Sequence, residues 1–375
     1  MTNYQLTTPD RETRDCGVIR LSGQLRGFTT DQIWVVDGKI SHTPPAAGSS
    51  KEITGFIYPG LVDAHTHPGL SYTPELLDDA EVHRRLRACV ALGVTAIRDC
   101  GGQCDAGQIR TEAEPRVIYC GQHIARFKRY IRNAGIDTEP HDLVRQVRQQ
   151  CEKANGWIKI VGDWINRDKG EFSDLEPLWP RETIIAAVRA AHDLNTKVTV
   201  HTFAHETIDD LLDAGVDGIE HGTGMDWDQL VRAREQGVLI TPTVNQISRF
   251  PEFAADAGKY PVYARRMLDM DARRREHLAM MVQAQTHFLM GSDTSADVDR
   301  RGLPTELCDA VRNGIPAHVV MDAASYGGRR RLGLTSWEDG AVADFVVYDR
   351  DPEQDISAVL SPSYVLIGGR IVAHR

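Results

Sequence analysis

Between Phe56 and Ser292, apolar runs of strand length recur, and segments of helical period separate them. The runs are Phe56–Ala64, Ala96–Cys100, Arg116–Cys120, Trp157–Val161, Lys197–His201, Gly218–His221, Val238–Pro242 and His287–Ser292. Amphipathic segments lie between them, among them Glu81–Leu92, His141–Ala154, Arg181–Leu194, Glu206–Ala214 and Asp228–Gln236. Strands rich in Val and Ile, each feeding a helix, form a parallel sheet covered on both faces. Eight such units predict an α/β chain closed into a (β/α)8 TIM barrel.

The two ends of the chain follow a different pattern. Gly17–Leu21, Gln32–Val36 and Lys39–Ser41 are short strand-like runs, and Asp37-Gly38 is a hairpin signal between the last two. Asp344–Tyr348 and Tyr364–Val372 are similar, the latter broken at Gly368-Gly369. Neither end alone can bury both faces of a sheet. Together, residues 1–57 and 336–375 predict one small composite β-sandwich beside a barrel of residues 58–335, with the termini side by side.

Composition narrows the class. Hydrophobic residues are 41% of 375, enough for a large core. The net charge of −10, with no basic face evident, argues against nucleic acid or an anionic membrane as partner. Seven Cys residues, an odd number without a paired framework, read as reduced thiols in a cytoplasmic enzyme. Cys100 and Cys104 lack the second pair of a zinc knuckle. Met1–Arg14 is polar, without the apolar stretch of a signal peptide, and no run reaches membrane-spanning length. A small-molecule substrate is the expected partner. A homo-oligomer is compatible with the sequence, but no interface is identifiable.

Chemistry gathers at the strand ends. His65 and His67 end the first strand, Lys159 lies within the fourth, His201 and His221 end the fifth and sixth, and Asp293 closes the eighth. In such a barrel these side chains converge at one mouth. Residues i and i+2 of a strand point the same way, so His65 and His67 can address one metal. His201 or His221 alone reads as a core or capping histidine; at consecutive strand ends beside an HxH pair, ligation is the better reading. Asp293 could cap a helix, but a carboxylate beside a metal suits general-base chemistry better. His205 is expected to be structural or to support the ligands from behind.

Lys159 interrupts the apolar Trp157-Ile158-Lys159-Ile160-Val161. A buried ammonium is costly unless paired. One resolution is an ion pair with Asp163. The other is carboxylation of the amine, which makes it an anion able to bridge two cations, and an unmodified ammonium would be repelled by metals.

The motifs Pro59–Pro68, Ile158-Lys159-Ile160, His201, Glu220-His221-Gly222, Gly291-Ser292-Asp293 and Gly340–Tyr348 occur in this order over essentially the whole chain. The pattern resembles the amidohydrolase superfamily, closest to imidazolonepropionase-like proteins and metal-dependent, prolidase-like dipeptidases. The resemblance implies a binuclear site: His65, His67 and Asp293 on one divalent ion, His201 and His221 on the other, and carboxylated Lys159 bridging. Zinc suits such ligands. Single-metal deaminases of this type carry Glu three residues after the fifth-strand His. Here that position is Ala204, and Glu206 is two residues off.

The implied reaction is hydrolysis of an amide C–N bond in an N-acyl amino acid, dipeptide or cyclic amide by a metal-bridging hydroxide, with Asp293 moving the proton. A mononuclear deaminase and a lactonase or esterase are the alternatives. A catalytically dead scaffold is disfavoured, because all six ligands are present. His123 is a candidate catalytic residue that contacts the carbonyl or the metal-bound water; a loop histidine is its plainer reading. Arg126, Arg129 and Tyr130 in the next loop are candidates for substrate binding, the arginines for a substrate carboxylate. A solvated basic loop is their plainer reading. Trp164 and Trp179 either wall the pocket or pack their loop.

Overall fold

The computed structural model describes residues 5–6, 17–46 and 50–375. The reading of Met1–Arg14 as free of a signal peptide lies largely outside these residues. The chain runs through β1 (Gln5–Leu6), β2 (Val18–Leu25), β3 (Gln32–Val36), β4 (Lys39–Ser41) and β5 (Lys51–Pro59). In β3, Ile33 and Val35 are buried while their neighbours are half-buried, the alternation of a strand with one covered face. Asp37 and Gly38 have φ of 49° and 79° and turn β3 into β4, as their pairing predicts.

Across Gly60 the chain enters β6 (Leu61–Thr66), β7 (Val94–Asp99), β8 (Arg116–Tyr119), β9 (Ile124–Arg126), β10 (Ile136–Thr138) and β11 (Trp157–Val161). A short antiparallel hairpin, β12 (Asp163–Ile165) with β13 (Leu175–Pro177), is inserted next. Then come β14 (Lys197–Thr202), β15 (Gly218–His221), β16 (Leu239–Thr241) and β17 (His287–Phe288). The chain finishes with β18 (Phe345–Tyr348), β19 (Tyr364–Ile367) and β20 (Arg370–His374).

The middle strands form two parallel sheets, β6-β7-β8 and β10-β9-β11-β14-β15-β16-β17. Every residue of β6, β7, β11 and β15 is buried, as parallel strands covered on both faces require. Helices supply the cover. Arg181–His192 turns Ile184, Ala187, Val188 and Ala191 inward, the spacing of one helical face.

Two departures from the expected strands have local causes. The third run divides at Gly121, whose φ of 69° breaks the ladder; β8 stays with β7 while β9 pairs with β11. That left-handed φ is one that glycine adopts without the strain a side chain would bring. The eighth run is laddered only at His287–Phe288. Beyond it, the chain bonds to β6 instead: Ala64 N to Met290 O at 2.8 Å, Asp293 N to His65 O at 2.7 Å, His67 N to Thr294 O at 2.8 Å. Asp293 is thereby tied to β6 and the residue after it, the segment that carries His65 and His67.

The N- and C-terminal strands join in one ladder, β1-β20-β19-β18-β5-β2-β3-β4. Gln5 lies opposite His374, so segments from the two ends run side by side. Gly368 and Gly369, with φ of 58° and 74°, make the turn between β19 and β20. Among the described residues, no helix is long and apolar enough to cross a membrane.

Candidate metal centre and active site

The six ligand candidates are brought together. His67 Nδ1 lies 2.9 Å from Gly101 O, which leaves Nε2 facing inward. His65 Nδ1 lies 2.9 Å from Glu220 Oε2, and its Nε2 faces the same space. The two inward nitrogens are 3.3 Å apart, and Asp293 Oδ1 stands 3.2 Å from that of His67 and 3.3 Å from that of His65. Lys159 Nζ is 3.4 Å from His65 Nε2. On the next strands, His201 Nδ1 is 2.9 Å from His221 Nε2, and the other ring nitrogen of His221 lies 2.6 Å from Thr243 Oγ1.

These separations test the site for a metal. An ion held tetrahedrally by nitrogen or oxygen at about 2.0–2.1 Å keeps its ligand atoms about 3.3 Å apart. The triangle of His65, His67 and Asp293 has that size. His201 Nε2 and both ring nitrogens of His123 are buried without a hydrogen-bond partner, which a polar interior rarely tolerates unless a ligand completes it. The donors fit divalent ions.

The backbone is bent to aim them. His221, Thr243 and Asp293 all have left-handed φ, 68°, 47° and 53°, at the ends of their strands. Non-glycine residues pay about 1–3 kcal/mol each for such conformations, which cluster at functional sites. Burial alone would raise the Asp293 carboxyl. The imidazoles of His65, His67 and His221 outweigh it and hold the group well below the usual carboxylate range. Burial pushes His123 and His201 well below the ordinary imidazole value and His221 down to about 3, so these rings are neutral and able to donate a lone pair.

Lys159 is 3% exposed. Among the described residues no carboxylate comes within ion-pair distance of its nitrogen. The anticipated partner Asp163 is committed elsewhere: it accepts from Thr202 Oγ1 and from the backbone N–H of Phe203 and Ala204, the latter at 3.1 Å. The ion-pair resolution of this buried lysine is therefore not realised. Glu206 bonds Arg266 Nη2 at 2.5 Å on the exterior, and His205 bonds Gly224 O at 3.2 Å, outside the cluster.

A cavity of about 590 Å³ opens over the cluster and takes in His123, Tyr130 and Trp164. That volume suits a small molecule. His123 is wedged between two glycines; a Cβ at Gly101 or Gly135 would come 2.7 or 2.8 Å from its ring. Tyr130 packs edge-on against His123 at 5.3 Å and Trp164 at 4.8 Å. Trp179 does not face the cavity; its indole donates to Val161 O at 2.7 Å and packs the loop down.

Arg126 and Arg129 are not in the cavity wall. Arg126 faces Glu139 at 4.0 Å, and Arg129 donates to the carbonyls of Trp164 and Ile165, both at 3.3 Å. Arg167, Arg249 and Arg301 line the cavity instead.

Sequence reasoning also missed what supports the ligands. Arg98, fully buried, donates 2.5 Å to Glu220 Oε1 and 2.7 Å to Ala64 O, and its guanidinium lies over Trp157 at 4.7 Å. Despite burial, which acts to raise it, Arg98 and His65 hold the Glu220 carboxyl well below its usual range. An arginine inside an apolar strand, Ala96-Ile97-Arg98, was the available signal.

Histidines and an aspartate thus gather at the ends of strands from two parallel sheets, an α/β arrangement with candidate metal-binding groups. The Amidohydrolase family matches residues 56–372, and the chain belongs to that family of hydrolases acting on carbon–nitrogen bonds. It is 37% identical over 345 residues to Rv2915c of Mycobacterium tuberculosis, an uncharacterized protein, covering 91% of this chain and 92% of that one. Mb2939c of Mycobacterium bovis matches equally. Similar solved structures include a Xaa-Pro dipeptidase with methionine bound in its active site, at 22% identity and TM-score 0.77 over 94% of this chain and 99% of that one. The ochratoxinase of A. niger has 18% identity and TM-score 0.78 over 95% and 96%. A molinate hydrolase has 14% and 0.74 over 94% of each. At these identities the likeness is one of fold.

Proposed function

We propose that this protein hydrolyses an amide C–N bond of a small molecule, an N-acyl amino acid, dipeptide or cyclic amide, at a pair of divalent ions. His65, His67 and Asp293 would hold one ion, His201 and His221 the other, and carboxylated Lys159 both. Zinc is the ion the donor set suits best. The observation that carries this reading is Lys159: buried, 3.4 Å from His65 Nε2, and without a carboxylate partner among the described residues. Its amine would add to carbon dioxide and release a proton, becoming a second anion beside ionised Asp293.

Bound there, the ions supply a water-derived nucleophile at neutral pH and polarise the scissile carbonyl. The protein's own groups do the rest. Asp293, ionised, accepts a proton from the attacking water and returns it to the nitrogen as the C–N bond breaks, leaving a carboxylic acid and an amine. Neutral His123 donates an N–H to the carbonyl oxygen as charge grows on it. Tyr130 and Trp164 pack over the His201 ring, at 5.7 and 5.5 Å, and shield it from water.

In this reading the two parallel sheets form one (β/α)8 barrel of residues 58–335, and residues 1–57 with 336–375 form a composite domain. The bonds from β6 to the chain after β17, and the passage of residues 116–126 from one sheet to the other, support it.

A mononuclear deaminase is the second reading. Ala204 stands where that chemistry needs a carboxyl, and the nearby Glu206 is bonded to Arg266. A panel of amides, esters, lactones and aminated heterocycles, assayed for acid, amine and ammonia, tests the proposal. Amine release from amides is expected; ammonia release from heterocycles alone would overturn it.

A further inference from the structure

A second cavity, a groove of about 880 Å³, lies apart from the one over the candidate metal centre and shares no lining residue with it. Much of its lining is helical. Pro261–Ala272 and Arg274–Gln283 follow each other with a single residue, Arg273, between them. Helical bonds cross the join: Arg273 N to Asp269 O at 3.1 Å and His277 N to Arg273 O at 2.9 Å. Together the two helices span about 35 Å. Tyr263, Met267 and Met270 turn inward at the spacing of one helical face and pack in one cluster with Phe203 and Phe250.

The groove side of the same helices carries Val262, Arg266, Asp269, Arg273, Glu276 and Met280, in steps of alternately four and three. That is the spacing of a helix face that lies along another helix. Its charges alternate in sign, with Arg265 beside Arg266. Arg266 is committed within the chain, to Asp174 at 3.1 Å and Glu206 at 2.5 Å. Among the described residues, Arg265, Asp269 and Glu276 have no side-chain partner, and Arg273 donates only to the backbone carbonyl of Asp269, at 3.4 Å. Arg265 and Asp269, like Asp269 and Arg273, stand four apart, where helix neighbours can pair, yet neither pair is made. Val262, 41% exposed, and Phe172, 69% exposed, add apolar surface to the groove.

We infer that this face binds a second copy of the chain, the two helix pairs running antiparallel about a two-fold axis beside Asp271. The charge pattern selects that occupant. Outward from Asp271 along the chain, each acid in one direction is matched by a base in the other, and Val262 is matched by Met280. An antiparallel copy therefore sets Asp269 against Arg273 of the second copy, Arg273 against its Asp269, and Val262 against its Met280. Arg265 and Glu276 come within one residue of the same register. Such a contact is self-complementary, as a two-fold interface must be. A parallel copy would set like charge against like.

Sedimentation equilibrium of the full chain tests this. The unaltered protein is expected to have at least twice the chain mass of 41.7 kDa. Asp269→Arg and Arg273→Asp each bring like charges together at both contacts and should weaken the association by about 100-fold or more, halving the mass. Both residues are exposed and neither lines the cavity over the metal centre, so each variant should keep the circular dichroism of the unaltered protein. The deciding arm mixes the two variants. In a mixed pair both contacts again join opposite charges, so the two dissociated variants should associate with each other, and the double variant Asp269→Arg/Arg273→Asp with itself. Should a reversal fail to fold, Val262→Glu, which sets a charge against Met280 of the second copy, carries the test and should also dissociate the pair. A single-chain mass for the unaltered protein at high micromolar concentration, a mass that none of these substitutions changes, or variants that stay apart when mixed would overturn the inference.

Discussion

Glu220 stands between two partners of opposite demand: one oxygen is 2.5 Å from the Arg98 guanidinium, the other 2.9 Å from Nδ1 of His65. At that distance the carboxylate favours the proton of His65 on Nδ1, which leaves Nε2 with a lone pair for the site. A carboxylate–histidine pair of this kind raises the basicity of a metal-bound imidazole.

Glu220→Gln is therefore expected to lower divalent-metal affinity about 10- to 100-fold. It should also destabilise the fold by about 3–5 kcal/mol, because fully buried Arg98 loses its counter-charge. Urea unfolding of Arg98→Met/Glu220→Gln should recover much of the stability while the metal affinity stays low. Recovery of both would mean that Glu220 serves only Arg98.

Lys159→Ala should remove the bridging ligand. We expect fewer than two ions per chain and a loss of amide hydrolysis greater than about 100-fold, above the range seen for outer-sphere partners. Carbon-13 bicarbonate NMR of the unaltered protein should give a carbamate resonance that Lys159→Ala lacks. A resonance in both would assign the modification elsewhere.

Thr243→Val takes away the hydroxyl 2.6 Å from His221 Nδ1. Metal affinity, measured by competition with a chelator, should fall by roughly 10-fold or more, and Thr243→Ser should restore it. Equal affinities for the Val and Ser variants would leave the hydroxyl without a role.

Glu306 provides a pH signature. Burial pushes its carboxyl up to about 8 from an ordinary value of 4.5, against the lowering effect of the backbone N–H of Asn245 and Val244. The folded state thus binds a proton that the unfolded state has already released. This group's contribution to stability is largest below pH 4.5, falls between 4.5 and 8, and is flat above. Glu306→Gln cannot titrate. The stability of the natural protein minus that of the variant should decline by on the order of a few kcal/mol from pH 5 to 8. A constant difference would show the carboxylate to be ionised throughout.

The candidate ligands were legible because they obey local rules. His65 and His67 share a face by the period of a strand, and His201, His221 and Asp293 follow apolar runs whose ends a parallel fold gathers together. The hairpins at Asp37-Gly38 and Gly368-Gly369 were equally local. What could not be read depends on contacts distant in sequence. Arg98 meets Glu220 across 122 positions, and His221 meets Thr243 at a left-handed residue that no propensity anticipates. The basic loop at Arg126–Arg132 was the visible charge cluster, yet its backbone turns Arg126 and Arg129 away from the cavity. Arg249 and Arg301, isolated in sequence, are brought in by helices whose docking only the fold reveals.

The central claim is that two cations share one set of ligands, and elemental analysis of zinc-saturated, dialysed protein tests it most directly. Two ions per chain in the natural protein, falling in Lys159→Ala, is the predicted result. A single ion per chain, unchanged by that substitution, would contradict the account.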